Sequence, residues 1–154
     1  MVNEVRTDPA ADEVSVGIIQ SEFNGYVTDR LRNGAVDVLE NAGVPTDAIS
    51  LYPVPGSFEI PGAASQVIQE RSHDGIICLG SVVRGETPHF DYICSQVSRG
   101  ISELSMQYDL PVIFGVLTTD TMNQALERAG SGSSNKGREA AESFLQTLGL
   151  YRAL

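Results

Sequence analysis

The chain has 154 residues, 42% of them apolar, with 20 acidic against 10 basic side chains and a formal net charge of −10. That length suits one domain with a substantial core. The acidic balance excludes nucleic acid as a partner, because no basic face is present to neutralise phosphates.

Residues 1–13, polar and broken by Pro9, read as a loose arm ahead of a single domain over 14–154. The arm has no apolar stretch of the kind a leader peptide carries. No later run is apolar enough to cross a bilayer, so no membrane partner is expected. "VSVGIIQ" is a β-branched run suited to a buried strand. After "SEFNGY", Thr28 is expected to cap a helix with Leu31, Ala35, Val38, Leu39 and Ala42 at helical spacing, and Gly43 is its stop. "ISLYPV" is a second strand, assigned to a sheet edge by Pro53. "PGSFEIP" leads into a helix with Pro61 in its first turn, running to about Arg71.

"GIICLG" is the third strand and the most apolar. From Pro88 to about Tyr108 a helix carries Phe90, Ile93, Cys94, Val97, Ile101, Leu104 and Tyr108 on one stripe. "PVIFGVLT" is the fourth strand. A short helix from about Thr121 ends at Gly130, and "SGSSN" leads into a last helix with Ala140, Ala141, Phe144, Leu145 and Leu148. Strands alternating with helices give βαβ units, hence an α/β fold. Right-handed crossovers put helices on both faces of a parallel four-stranded sheet, a three-layer α/β/α sandwich. Cys78 and Cys94 fall at apolar positions and read as small buried hydrophobes, with neither disulfide nor metal-ligand spacing. A reducing, cytoplasmic compartment fits them.

Ligands of such sheets bind beyond the carboxyl ends of the strands. Four loops meet there: "QSEFNG", "PGSFEIP", "GSVVRGETPH" and "TTDT". In the third, Thr87 can cap a helix that Pro88 opens. The amides around Gly85, Glu86 and Thr87, with the helix dipole, then form an anion site. The Glu86 carboxylate would have to turn away. His89 falls in the first helical turn, where the positive helix end disfavours an imidazolium and leaves a neutral proton acceptor. Its alternative is a surface histidine without a role. Phe23, an aromatic in a loop, reads as a stacking platform for a planar ligand. Phe114 reads as core, Arg128 as a complement to a helix C-terminus, Lys136 as solvated, and His73 as loop filler. "GSGSSNKG" has glycines at P-loop separation, but Arg138 replaces the required lysine and no strand precedes it, so it reads as a helix–helix connection. The residues alone therefore predict an anionic, aromatic small-molecule site with a histidine at hand.

"VPGSFEIP", "GSVVRGETPHFDYIC", "PVIFGVLTTDTMNQALERAG" and "NKG", in this order and spacing, resemble the lumazine synthase family from about Val16 to the last helix. The resemblance implies a flavodoxin-like sandwich with strand order 2-1-3-4. It also implies a transferase for the penultimate step of riboflavin biosynthesis, condensing 5-amino-6-(D-ribitylamino)uracil with 3,4-dihydroxy-2-butanone 4-phosphate. The products would be 6,7-dimethyl-8-ribityllumazine, phosphate and water, with no metal or organic cofactor. By the same resemblance Phe23 stacks on the pyrimidine, and Ser57, Phe58 and Glu59 hold the ribityl chain. Ser81, Val82 and Val83 read the pyrimidine edge through their backbone. Glu86 and Thr87 bind the butanone phosphate, and His89 transfers protons. Phe114 and Arg128 reach the site from a neighbouring subunit, Arg128 pairing with phosphate, and Lys136 adds positive charge. The family forms homo-oligomers, pentamers or twelve pentamers closed into a shell, with active sites at subunit interfaces and riboflavin synthase as a possible enclosed partner.

Two positions depart from the family pattern: Glu22 stands where an arginine is usual, and Gly132 where many relatives carry lysine. A non-catalytic flavin or lumazine carrier would keep Phe23 and the ribityl-binding residues but could dispense with His89 or Arg128. Both are present, which favours the enzyme. A flavodoxin-type electron carrier needs a Ser/Thr-rich loop after the first strand, which "QSEFNG" does not supply.

Overall fold

The computed structural model describes residues 1–132 and 134–154, and its four apolar runs form one wholly parallel sheet. The strands are β1 (Val16–Ser21), β2 (Ile49–Val54), β3 (Gly75–Val83) and β4 (Val112–Thr119), in spatial order β2-β1-β3-β4. This is the flavodoxin-like order, and Pro53 does lie on an edge strand. Five α-helices alternate with them: α1 (Gly25–Asn41), α2 (Ile60–Glu70), α3 (His89–Gln107), α4 (Met122–Arg128) and α5 (Lys136–Ala153).

Each strand is apolar on both sides, so the sheet needs a helical layer on each face. Val16, Ile18, Ile77 and Leu79 pack against Leu31, Ala35 and Leu39 of α1 and Ala141, Phe144 and Leu145 of α5. On the opposite face Ile19, Ile76, Cys78 and Val116 pack against Ile60 and Ala64 of α2 and Val97, Ile101 and Leu104 of α3. At Gly137 any Cβ would overlap the Leu31 carbonyl oxygen, so glycine is what lets α5 approach α1 so closely. None of the described helices is long and apolar enough to cross a membrane.

Four local readings change. Helix α1 starts at Gly25, with Asn24 in the left-handed region (φ 57°) ahead of it. Thr28 lies inside the helix, where its hydroxyl donates to the Ser21 carbonyl at 2.8 Å and accepts from the Gln20 amide at 3.2 Å. Burial against the strand end, with those partners, displaces it from a capping role. Strand β3 extends past Gly80, because β4 continues to pair with it as far as Val83↔Thr119. Cys94 is only half-buried, while Cys78 is fully buried and its thiol is pushed up to about 12 by loss of hydration. Residues 1–13 contain no helix or strand, yet the second half of the arm is tied to α5. Ala10 N–H donates to the Leu145 carbonyl (2.9 Å), and Arg152 donates to the Asp12 and Glu13 carbonyls (2.7 and 3.1 Å). A Cβ at Gly149 would overlap the Asp8 carbonyl oxygen, so the arm crosses α5 at a glycine notch near the helix's end.

Candidate active site

Beyond the carboxyl ends of β1, β2 and β3 lies a cleft of about 700 Å³. The loop after β1 contributes Phe23, and the turn after β2 contributes Gly56, Ser57, Phe58 and Glu59. The end of β3 contributes Ser81, Val82 and Val83, followed by Gly85, Thr87 and His89, with Phe90 and Ile93 of α3 behind them. Phe23 and Phe58 are 69% and 55% exposed, unusual for phenylalanine and suited to covering a planar ligand.

The walls are held by backbone bonds. Glu22 N–H donates to the Val54 carbonyl (2.8 Å) and Phe23 N–H to the Pro55 carbonyl (3.1 Å), joining the β1 loop to the end of β2. Ser57–Glu59 form a 3₁₀ turn that runs directly into α2. A Cβ at Gly80 would meet Ser57 Oγ at 2.5 Å, so glycine there lets this turn close over β3. The Ser81 hydroxyl oxygen is buried and has no partner among the described residues.

Helix α3 begins at His89, one residue later than its Pro88 suggested. Pro88 rather than Thr87 is therefore the N-cap, with no side-chain cap bond, and Thr87 Oγ1 accepts from His89 N–H only at 3.4 Å, the outer limit of a bond. The imidazole of His89 is exposed and lines the cleft. Arg84, which the sequence did not single out, braces this corner. Its Nε donates to Asp120 (2.8 Å), its Nη1 to Asp91 (3.4 Å) and its N–H to the Thr119 carbonyl (2.9 Å). Its guanidinium also lies 4.4 Å from the centre of the Phe90 ring. The start of α3 is thereby fixed to the turn that leads into α4.

Three of the residues assigned by resemblance lie elsewhere. Phe114, Arg128 and Lys136 line a separate cavity of about 320 Å³ between β4 and α5, together with Thr118, Glu139 and Ser143. Phe114 is 44% exposed, which overturns its reading as core. It sits on β4, the edge strand of the sheet. Arg128 donates to the Gln124 carbonyl (3.1 Å) and Lys136 to Glu139 (2.9 Å), so Lys136 is paired rather than simply solvated. Glu86 is exposed and is not among the residues lining the His89 cleft.

His73 is not loop filler. Its Nδ1 bonds Ser15 Oγ (2.8 Å) and its Nε2 bonds Tyr52 OH (2.7 Å), at the opposite end of the sheet from the cleft. The "GSGSSNKG" stretch joins α4 to α5 with no strand before it, as a helix–helix connection should. Ser133 within it lies outside the described residues. Gly132 has φ +87°, so a lysine there would carry backbone strain as well as charge. Besides Arg84, the sequence reading missed Asn24, Gly56 and the cleft-facing side of Phe90 and Ile93, while Gly85, named there for its amide, does line the cleft. For Asn24 a signal was present, since asparagine before glycine in a loop favours left-handed backbone. For Phe90 and Ile93 none was, because a helical apolar stripe looks the same facing a core or a cleft. Among the described residues no group of three His, Cys, Asp or Glu side chains is disposed to hold a metal.

An aromatic-walled cleft with a histidine, set beyond the carboxyl edge of a 2-1-3-4 parallel sheet, defines a small-molecule site of the flavodoxin-like α/β class. The chain matches the family model of 6,7-dimethyl-8-ribityllumazine synthase over residues 13–152, and it belongs to that family. The family is one of transferases that form a lumazine in riboflavin biosynthesis.

Proposed function

We propose that the chain condenses 5-amino-6-(D-ribitylamino)uracil with 3,4-dihydroxy-2-butanone 4-phosphate to 6,7-dimethyl-8-ribityllumazine, at sites completed by a neighbouring copy in a homo-oligomer, a pentamer or a closed shell of twelve pentamers. The observation that carries this reading is the division of the candidate residues between two cavities of one chain. Phe23, Ser57–Glu59, Ser81–Val83, Thr87 and His89 line one, and Phe114, Arg128 and Lys136 the other. Each set lacks what the other has. The first holds stacking surfaces and a proton carrier but no cation among its lining residues. The second holds a phenylalanine and two cations but no histidine.

In this scheme the pyrimidine stacks on Phe23 with its edge against the Ser81–Val83 backbone, and the ribityl hydroxyls reach Ser57 and Glu59. The primary amine attacks the carbonyl carbon of the butanone, and loss of water gives an imine. His89 takes the proton from the amine and returns it to the departing hydroxyl. Elimination of phosphate follows, its negative charge stabilised by the neighbour's Arg128 and Lys136 and by the amides at the start of α3. Ring closure with loss of a second water completes the lumazine. Holding two reactive partners in register accounts for much of the remaining acceleration.

The test mixes the protein with both substrates and follows lumazine absorbance against the uncatalysed rate. A large acceleration is expected, collapsing in Arg128→Ala and falling in His89→Ala. Co-assembly of those two impaired variants should raise activity above that of either alone, because some interfaces then join an intact His89 half to an intact Arg128 half. Background rate with tight binding of the ribityl compound would instead identify a carrier. Absence of rescue in co-assembled variants would rule out shared sites.

A further inference from the structure

Strand β3 outlasts its partner. The β1–β3 ladder ends at Gln20↔Leu79, whereas β3 continues to Val83 with only β4 beside it. The flank of residues 81–83 that faces away from β4 therefore opens on the cleft instead of on a strand. The side-chain amide of Asn24 donates to the Ser81 carbonyl at 2.8 Å, where the next rung of β1 would otherwise stand.

Asn24 can do this because of its backbone. With φ 57° and ψ 44° it reverses the chain, and its own carbonyl accepts from Val27 and Thr28 N–H to start α1. Its neighbour Phe23 is held on the other side, by its N–H on the Pro55 carbonyl (3.1 Å). The loop carrying the exposed ring is thus anchored to β2 through Phe23 and to β3 through Asn24.

We propose that Asn24 is a positioning residue: its amide fixes the gap between the Phe23 ring and the open flank of β3, and so sets affinity for the planar heterocycle. The inference rests on the reading of the cleft given above. Two requirements meet at this position, a left-handed backbone and a hydrogen-bond donor. Glycine meets the first alone. Aspartate meets the first and opposes the second, since its carboxylate would face another acceptor.

Wild type, Asn24→Asp and Asn24→Gly would be compared by steady-state kinetics with each substrate varied in turn, and by fluorescence titration with the lumazine product. Loss of one hydrogen bond to a neutral group predicts a rise of about fivefold in KM for the ribitylaminouracil in Asn24→Gly, and more in Asn24→Asp, where repulsion is added. KM for the butanone phosphate should stay within about twofold, and the lumazine Kd should rise in parallel with the first KM. If the aspartate variant does not fold, the glycine variant, which keeps the backbone conformation, carries the test. Unchanged affinity in both variants, or equal rises in both KM values with lowered Tm, would overturn the proposal. A wild-type protein that binds lumazine but forms none would instead overturn the synthase reading, and the titration would still decide the role of Asn24.

Discussion

The two histidines sit at opposite ends of the same sheet and have opposite surroundings. His89, at the carboxyl end, presents an exposed imidazole to a cleft. His73, at the amino end, has both ring nitrogens bonded to hydroxyls, of Ser15 and Tyr52, and its ring packs edge-on to Tyr52 with centroids 5.8 Å apart. Next to it Asp74 accepts from Ser15 N–H (2.7 Å) and pairs with Arg152 (3.5 Å), the side chain that also holds the arm. Partners saturated by the fold leave a side chain nothing to offer a ligand. Partners withheld by the fold leave it available. Residue type is the same at both ends, and the hydrogen-bond inventory separates structural work from chemistry.

The sharpest way to break this contrast is at the candidate site. Arg128→Ala should lower kcat by about 10²- to 10³-fold, the scale of removing one charge-stabilising group, while Tm is unchanged because, among the described residues, the guanidinium makes a single hydrogen bond, to the Gln124 carbonyl. His89→Ala should lower kcat by about 10²-fold, again without loss of stability. A fall in Tm accompanying either loss would move that residue to the structural class.

At the amino end the expectations reverse. Gly149→Ala should displace the arm from α5, costing about 1–3 kcal/mol, visible as a lower denaturation midpoint and faster proteolysis within residues 1–13. Activity per folded molecule should be unaffected. His73→Gln should cost about 1 kcal/mol for the lost bonds and leave kcat intact; a change in kcat would show that the two ends are not independent.

His73 also makes a pH prediction. Burial, helped by the charge of Arg71, lowers its pKa from the ordinary 6.5, with Asp74 opposing. The unfolded chain then binds the proton more readily than the folded one, so stability falls as pH drops below about 6.5. His73 contributes its full stabilisation above that value. Thermal denaturation between pH 8 and pH 5 should show the decline in wild type and a flatter profile in His73→Gln.

The smallest effect concerns the thiols. Cys94, half-buried on α3, should react with a thiol reagent in the native protein. Cys78, fully buried with its pKa pushed up to about 12, should react only on unfolding. Equal rates would show that the sheet opens locally around β3.

The sequence by itself determined the sheet. Continuous β-branched runs, helical stripes between them and Pro53 on an edge are local patterns, and the handedness of βαβ crossovers turns them into a three-layer sandwich. It also placed Phe23, Ser57–Glu59, Thr87 and His89 at the strand ends, because the strands run parallel and their carboxyl ends must coincide. Only the tertiary structure decided which polar groups are already satisfied. Thr28 looked like a cap and is bound to Ser21 and Gln20; His73 looked idle and joins Ser15, just ahead of β1, to Tyr52 of β2. Phe114 looked like core because alternation along a strand does not reveal whether a helix covers that side. The separation of Arg128 and Lys136 from the His89 cleft was likewise out of reach of local pattern. Hydrogen-bond partners 58 or 105 residues apart, such as His73 with Ser15 or Asn135 with Arg30, exist only once the chain has closed on itself.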